Sequence, residues 1–229
     1  MEAIVLAGGL GSRLNGVLRD IPKPMAPINS IPFLEYILKF LKTQSVNKVI
    51  LSVGYRSEVI YKYFGLSYKG IEIIYSIEDE PLGTGGAIKR AIQYTSKEYF
   101  FIINGDTFFQ INLKKMVENF VPGTRLMLAL KTMHNFDRYG CVQMNLDGFI
   151  TSFLEKGFKK TGSINGGIYL ARKNLFKGFD LADKFSFEEF IEGSFVDLSA
   201  TCMIFNDYFI DIGIPKDLKR ADKELKILM

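Results

Sequence analysis

The stretch VLAGGLGSRLNGVLRDIPKPM (5–25) follows directly on the first apolar residues and holds four glycines (8, 9, 11 and 16), Arg13 and, between Pro22 and Pro24, Lys23. Glycines in the first strand-to-helix loop let backbone N–H groups approach an anion closely, so this is where a phosphate site is expected. Two familiar phosphate loops do not fit the letters. A Walker loop needs a glycine followed by Lys and a hydroxyl residue, but Gly11 is followed by Ser12 and Arg13. A dinucleotide fingerprint needs a third glycine where Leu14 stands, and the second strand ends in Gly54-Tyr55-Arg56 with no acid at its tip. Cys141 and Cys202 are far apart with no C-x-x-C, which argues against a disulfide framework and against zinc. His134, the single histidine, stands in Thr-Met-His-Asn and reads as structural.

The elements that would position such a loop are legible from periodicity. EAIVLA (2–7) is a continuous apolar run, as in a strand covered on both faces. FLEYILKFLKTQ (33–44) places Phe33, Leu34, Ile37, Leu38 and Leu41 at helical spacing, and KVILSVG (48–54) is again a strand. The alternation continues with helices at 57–64, 85–95 and 113–120 and strands at 71–77 and 99–104. It predicts a mostly parallel sheet with helices on both faces. After about residue 123 the texture becomes strand-rich (RLMLALKT, GCVQMN, FITSFLEK, INGGIYLA). A last helix begins near Pro215 with Leu218, Ala221, Leu225 and Leu228 on one stripe.

With 229 residues and 48% apolar content, one large domain over 1–229 is expected. The formal charge of +4 and the lack of a like-charge block exclude a nucleic-acid arm and suit small anionic substrates. There is no basic leader and no run of about 18 apolar residues. A soluble, cytoplasmic protein with no membrane partner is therefore expected.

LAGGLGSRL followed by PKP resembles the opening of the sugar-1-phosphate nucleotidyltransferases, L-A-G-G-x-G-x-R-L with a later P-K. The resemblance implies an α/β, Rossmann-like three-layer nucleotidyltransferase fold, with a nucleotide-binding part at about 1–123 and a sugar-binding part at about 124–229. Leu6, Ala7, Gly8, Gly9 and Gly11 would bind the nucleotide. Arg13 and Lys23 would be catalytic, supplying positive charge to triphosphate oxygens, with Pro22 and Pro24 stiffening the lysine's segment.

Four later segments carry the resemblance along the chain. EDEPLGTGGA (78–87) is similar to the E-P-L-G-T-A-G of guanylyl-transferring members, with Gly85 for Ala; it implicates Gly83 and Thr84. Glu78 or Glu80 could accept the paired N1–H and N2–H donors of guanine, which uracil and cytosine lack. FFIINGDTFF (100–109) offers Asp106 and YFIDIGIP (208–215) offers Asp211 as ligands of Mg²⁺, a cation that needs only one or two carboxylates beside substrate phosphates; Ile214 stands where Thr is usual. FLEKG (153–157) implies Glu155 on sugar hydroxyls and Lys156 on the sugar phosphate. INGGIYL (164–170) implies sugar contacts at Asn165 and Gly166.

The reaction implied is attack by a sugar 1-phosphate oxygen on the α-phosphorus of a nucleoside triphosphate, GTP favoured, with loss of pyrophosphate. Positioning and charge stabilisation carry it. Within the family the segments look most like the guanylyltransferases of D-glycero-α-D-manno-heptose 1-phosphate; mannose-1-phosphate guanylyltransferases and N-acetylmuramate 1-phosphate uridylyltransferases are the alternatives. A non-catalytic sensor would be expected to lose Lys23 or a metal aspartate, and a glycosyltransferase to carry D-x-D where only Asp106 stands. Partners are the two small-molecule substrates, with a homo-oligomer left open.

Overall fold

The computed structural model describes residues 1–9 and 21–226. β1 (Glu2–Leu6) is apolar beyond its first residue because both its faces are covered: Ala3 and Val5 pack to one side, Ile4 to the other. A 3-10 turn at Lys23–Met25 and the short pair β2 (Pro27–Ile28) and β3 (Ile31–Pro32) lead into α1 (Phe33–Thr43). There follow β4 (Lys48–Val53), α2 (Ser57–Phe64), β5 (Ser67–Tyr68), β6 (Ile71–Ile77), α3 (Gly83–Ala91), β7 (Tyr99–Asn104), β8 (Thr107–Phe109) and α4 (Leu113–Glu118). The second half contains β9 (Leu126–Phe136), β10 (Cys141–Met144), β11 (Ile150–Leu154), β12 (Lys159–Arg172), α5 (Phe187–Ser194), β13 (Thr201–Phe205), β14 (Phe209–Asp211) and α6 (Pro215–Glu224).

The main sheet has eight strands in the order β13-β9-β12-β7-β1-β4-β6-β5. β7, β1, β4 and β6 are parallel, as the alternation predicts. The strand-rich half extends the same sheet with one reversed strand: β12 is antiparallel to both β7 and β9, while β13 is parallel to β9, so β9 and β13 run in the sense of β7. One face carries α1, α2, α4 and α6, with Phe33, Leu38, Ile60, Met116 and Leu218 packed against Val5, Leu51 and Phe101. The other face carries α3 and α5, with Ile88, Phe187 and Phe190 packed against Ile4, Ile50 and Ile102. Single-residue alternation along each strand thus feeds two separate cores, and these make the three layers.

Several boundaries differ from the sequence expectation. The helix expected over 85–95 begins at Gly83 and gives way at Ile92–Tyr94 to a 3-10 turn. α4 stops at Glu118, short of 120. α5 was not anticipated, although SFEEFI carries a helix-start signal: the Ser186 side chain accepts from the Glu189 N–H, and Phe187, Phe190 and Ile191 form the buried stripe. Leu228, expected on the stripe of the last helix, lies outside the described residues.

Candidate active site

After β1, the chain order first steps to β4 and β6 and then returns to β7 on the opposite side, so the sheet has its switch point beside β1. Loops leaving neighbouring strands in opposite directions open a crevice at that edge. The carboxyl ends of these four strands border a cleft of about 630 Å³. Leu6, Gly8 and Gly9 enter it from β1, Ser52, Gly54 and Tyr55 from β4, Glu78 from β6 and Asn104 from β7. The ladders continue past the strand ends: Ala7 N–H donates to the Ser52 carbonyl at 2.7 Å, and Glu78 N–H to the Val53 carbonyl at 2.8 Å. Gly105 N–H donates to the Leu6 carbonyl at 3.0 Å. A Cβ at Gly105 would collide with that carbonyl, so only glycine lets β7 deliver Asp106 against the end of β1.

Glu78 is tied at both carboxylate oxygens. Oε1 accepts from Ser52 Oγ at 3.2 Å and Oε2 from the Leu82 N–H at 3.1 Å, which places its edge in the cleft and closes the turn before α3. Glu80 is exposed and does not line the cleft; Asp79 does. Lys23 sits on the 3-10 turn behind Pro22, whose φ is −66°. Its Nζ forms an ion pair with Asp106 Oδ2. Arg13 and Gly11 lie outside the described residues.

Register, not sequence proximity, unites the two aspartates. β8 and β14 pair antiparallel with Thr107 opposite Asp211, and Ile212 N–H donates to the Asp106 carbonyl at 3.0 Å. Both aspartates line a second cavity of about 500 Å³. Asp211 Oδ1 accepts from Gly213 N–H at 2.6 Å, and Oδ2 accepts from the Tyr139 hydroxyl at 3.0 Å with the Arg138 guanidinium 3.5 Å away. Burial first, then the Asp211 charge, raises Tyr139 well above the ordinary phenol range and keeps it a donor. Arg138 also pairs with Asp217 at the first turn of α6, where burial works against its charge and the Asp217 hydrogen bond overrides it.

Lys156, Asn165 and Gly167 line the second cavity. Asn165 Oδ1 accepts from Gly167 N–H at 3.0 Å, and its Nδ2 donates to the Tyr169 hydroxyl at 2.7 Å. The register of β12 against β9 shifts between Asn165 and Tyr169, and Gly167 has φ +71°. This bulge turns Asn165 toward the cavity. Gly166 is a packing glycine, since a Cβ there would meet the Phe109 ring and the Ala129 carbonyl. Glu155 is exposed and borders neither cavity.

The GTGG run has a mixed role. Gly83, at φ +71°, and Thr84 line the first cleft, but Gly85 and Gly86 face the segment before α5, where a Cβ would collide with the Phe185 ring and the Asp183 carbonyl. The Thr84 hydroxyl is taken up by α5: it donates to Glu188 Oε2 at 2.7 Å and accepts from the Phe187 N–H at 2.8 Å.

Tyr55, Asn104, Arg138, Tyr139 and Glu188 are cavity residues that sequence reasoning did not pick out. The capping pattern at Ser186 could have located Glu188; the others have no local signal. His134 is exposed, its Nδ1 3.1 Å from Thr161 Oγ1, and lines neither cavity. Cys202 is buried against Met144 Sδ, and burial pushes its thiol up to about 12. Among the described residues, no three His, Cys, Asp or Glu gather as a metal cage. A pair of carboxylates beside an anion-sized cleft instead fits a hard cation that draws its remaining oxygen ligands from water and phosphate.

The family model described as "Nucleotidyl transferase" matches residues 2–226. The chain is 54% identical over 217 residues to a D-glycero-alpha-D-manno-heptose 1-phosphate guanylyltransferase of Campylobacter jejuni subsp. jejuni serotype O:2, covering 95% of this chain and 96% of that protein. It is 51% identical over 228 residues to the enzyme of the same name from Aneurinibacillus thermoaerophilus, covering 99% of each. Among solved structures, HddC from Yersinia pseudotuberculosis complexed with GMP-PN superposes with a TM-score of 0.85 at 36% identity, over 98% of this chain and 99% of that one.

Proposed function

The chain belongs to the nucleotidyl transferase family, and on that premise we propose that it transfers GMP from GTP to D-glycero-α-D-manno-heptose 1-phosphate, giving GDP-heptose and pyrophosphate. The observation that carries this reading is full-length likeness, above one half in identity, to two heptose 1-phosphate guanylyltransferases. The geometry supports it: two cavities meet at Asn104, Asp106 and Glu188, so a donor in one and an acceptor in the other converge on a carboxylate.

The first cleft takes GTP, with Leu6 to Gly9 and the Gly83–Thr84 turn along its wall and the Glu78 carboxylate facing the guanine edge. Arg13 and Lys23 hold the triphosphate, and Lys23 must exchange Asp106 for phosphate to do so. The second cavity takes the sugar phosphate, with Lys156 on its phosphate and Asn165 on its ring; Gly166 supports the bulge, and Glu155, which borders neither cavity, has no place in this arrangement. An oxygen of the acceptor phosphate attacks the α-phosphorus, a new P–O bond forms, and the α–β bond breaks with its electrons leaving on pyrophosphate. No protein nucleophile enters, so the side chains act by alignment and charge. Asp106 and Asp211 would hold Mg²⁺, whose chemistry is to neutralise phosphate charge. Both substrates are cytoplasmic small molecules, and the chain acts there as one catalytic unit.

The test is pyrophosphate release with Mg²⁺, crossing GTP, ATP, CTP, UTP and dTTP with heptose-, mannose-, glucose- and N-acetylmuramate 1-phosphates. Release confined to GTP and the manno-heptose is expected. Release with a different pair would discard the substrate assignment.

A further inference from the structure

Glu188 has no task in the reaction as written, yet it stands with Asn104 and Asp106 where the two cavities meet. It occupies the first turn of α5, and among the described residues its side-chain hydrogen bonds, from Thr84 Oγ1 at 2.7 Å and Ser186 Oγ at 3.2 Å, go to Oε2. Neither uses Oε1. On the acceptor side its neighbour is Tyr169, a buried residue whose ring meets Phe187 edge-on at 5.1 Å and whose hydroxyl accepts from Asn165. Glu188, Asn165 and Tyr169 line the same cavity, and burial, then the charge of Glu188 and, more weakly, that of Asp106 raise Tyr169 far above the ordinary phenol range.

A carboxylate at this junction repels phosphate, so it serves either a cation or the neutral, hydroxyl-bearing part of the acceptor. The latter fits its place: it is anchored to α3 by Thr84 and shares the lining of the second cavity with Asn165 and Tyr169. Asp106, by contrast, is met by β14 and Asp211. We propose that Glu188 binds hydroxyls of the acceptor sugar, and that Thr84 is the positioning residue that aims it. The GTGG run then has two functions, since Gly83 borders the nucleotide while the Thr84 hydroxyl sets up the acceptor site. The assignment rests on the acceptor-cavity reading above.

The experiment compares steady-state constants of wild type, Glu188→Gln, Thr84→Val and Thr84→Ser with GTP and heptose 1-phosphate, alongside Mn²⁺ binding measured by electron paramagnetic resonance without nucleotide. Losing a charged acceptor should raise KM for the sugar phosphate about 10-fold or more in Glu188→Gln. The KM for GTP, the melting temperature and the Mn²⁺ affinity should stay near wild type. Thr84→Val also removes the acceptor of the Phe187 N–H at the start of α5, so it should raise the same constant and lower the melting temperature, and Thr84→Ser, which keeps the hydroxyl, should restore both. An unchanged acceptor KM in Glu188→Gln overturns the assignment while the functional reading stands, as does weakened Mn²⁺ binding, which would make Glu188 a metal ligand. Wild-type inactivity with every sugar phosphate overturns the functional reading, and this assignment falls with it.

Discussion

Lys23 and Asp106 neutralise each other in the free protein, although one is assigned to triphosphate and the other to a metal. An ion pair of this kind keeps the Lys23 side chain, only 15% exposed, ordered before substrate arrives. Lys23→Ala is expected to slow turnover about 100-fold or more, the scale of losing one preorganised electrostatic contact. Asp106→Asn should do the same and also raise the Mg²⁺ concentration needed for half-maximal rate; near-normal turnover of either folded variant would remove that residue from the mechanism. At the base, only one of the two glutamates raised by the sequence reaches the cleft. Glu78→Gln should therefore weaken discrimination of GTP against ATP in competition assays, and Glu80→Gln should leave it unchanged. Equal, wild-type discrimination in both would refute carboxylate reading of guanine.

At the scale of elements, the joint between α3 and α5 connects the two cavities. The glycines of α3 are there for the chain that crosses them: Gly86 faces the Asp183 carbonyl and Gly85 the Phe185 ring. Gly86→Ala forces an overpacked contact, so a loss of about 1–3 kcal/mol is expected in denaturant titrations. Ser186→Ala removes the cap of α5 and should cost about 1 kcal/mol. Wild-type stability in both variants would mean that the joint is slack, and the route from Thr84 to Glu188 would lose its basis.

Across the whole molecule, the sheet separates stability from chemistry by its two edges. At the amino edge, Glu2 is nearly buried and accepts from the Ser96 hydroxyl, the Ser96 N–H and the Lys97 N–H, with Lys48 at 3.8 Å. Burial by itself would raise its carboxyl, but these contacts outweigh burial and hold it below the ordinary value of 4.5. A depressed carboxyl contributes stability that is complete above that value and is lost as pH falls beneath it. The melting temperature should therefore drop on acidification through this window. Glu2→Gln should melt lower at neutral pH yet fall less on acidification, with kcat unaltered because the site lies at the opposite edge. A parallel acid profile in both proteins would assign the acid lability elsewhere.

The sequence by itself determined the βα alternation, the glycine loop, the family and the types of residue that meet phosphate, because period, turn chemistry and short motifs are local properties of the chain. It could not show that Asp211 lies beside Asp106, since that proximity is a strand register between segments about a hundred residues apart. Nor could it show that Gly85 and Gly86 answer to Phe185 and Asp183, or that Glu188 stands between the cavities, because an unanticipated helix brings those groups together. Tertiary structure decided which of several equally acidic side chains face the clefts: Glu78 and Glu188 are fixed by hydrogen bonds from distant residues, while Glu80 and Glu155, alike in chemistry, remain in solvent.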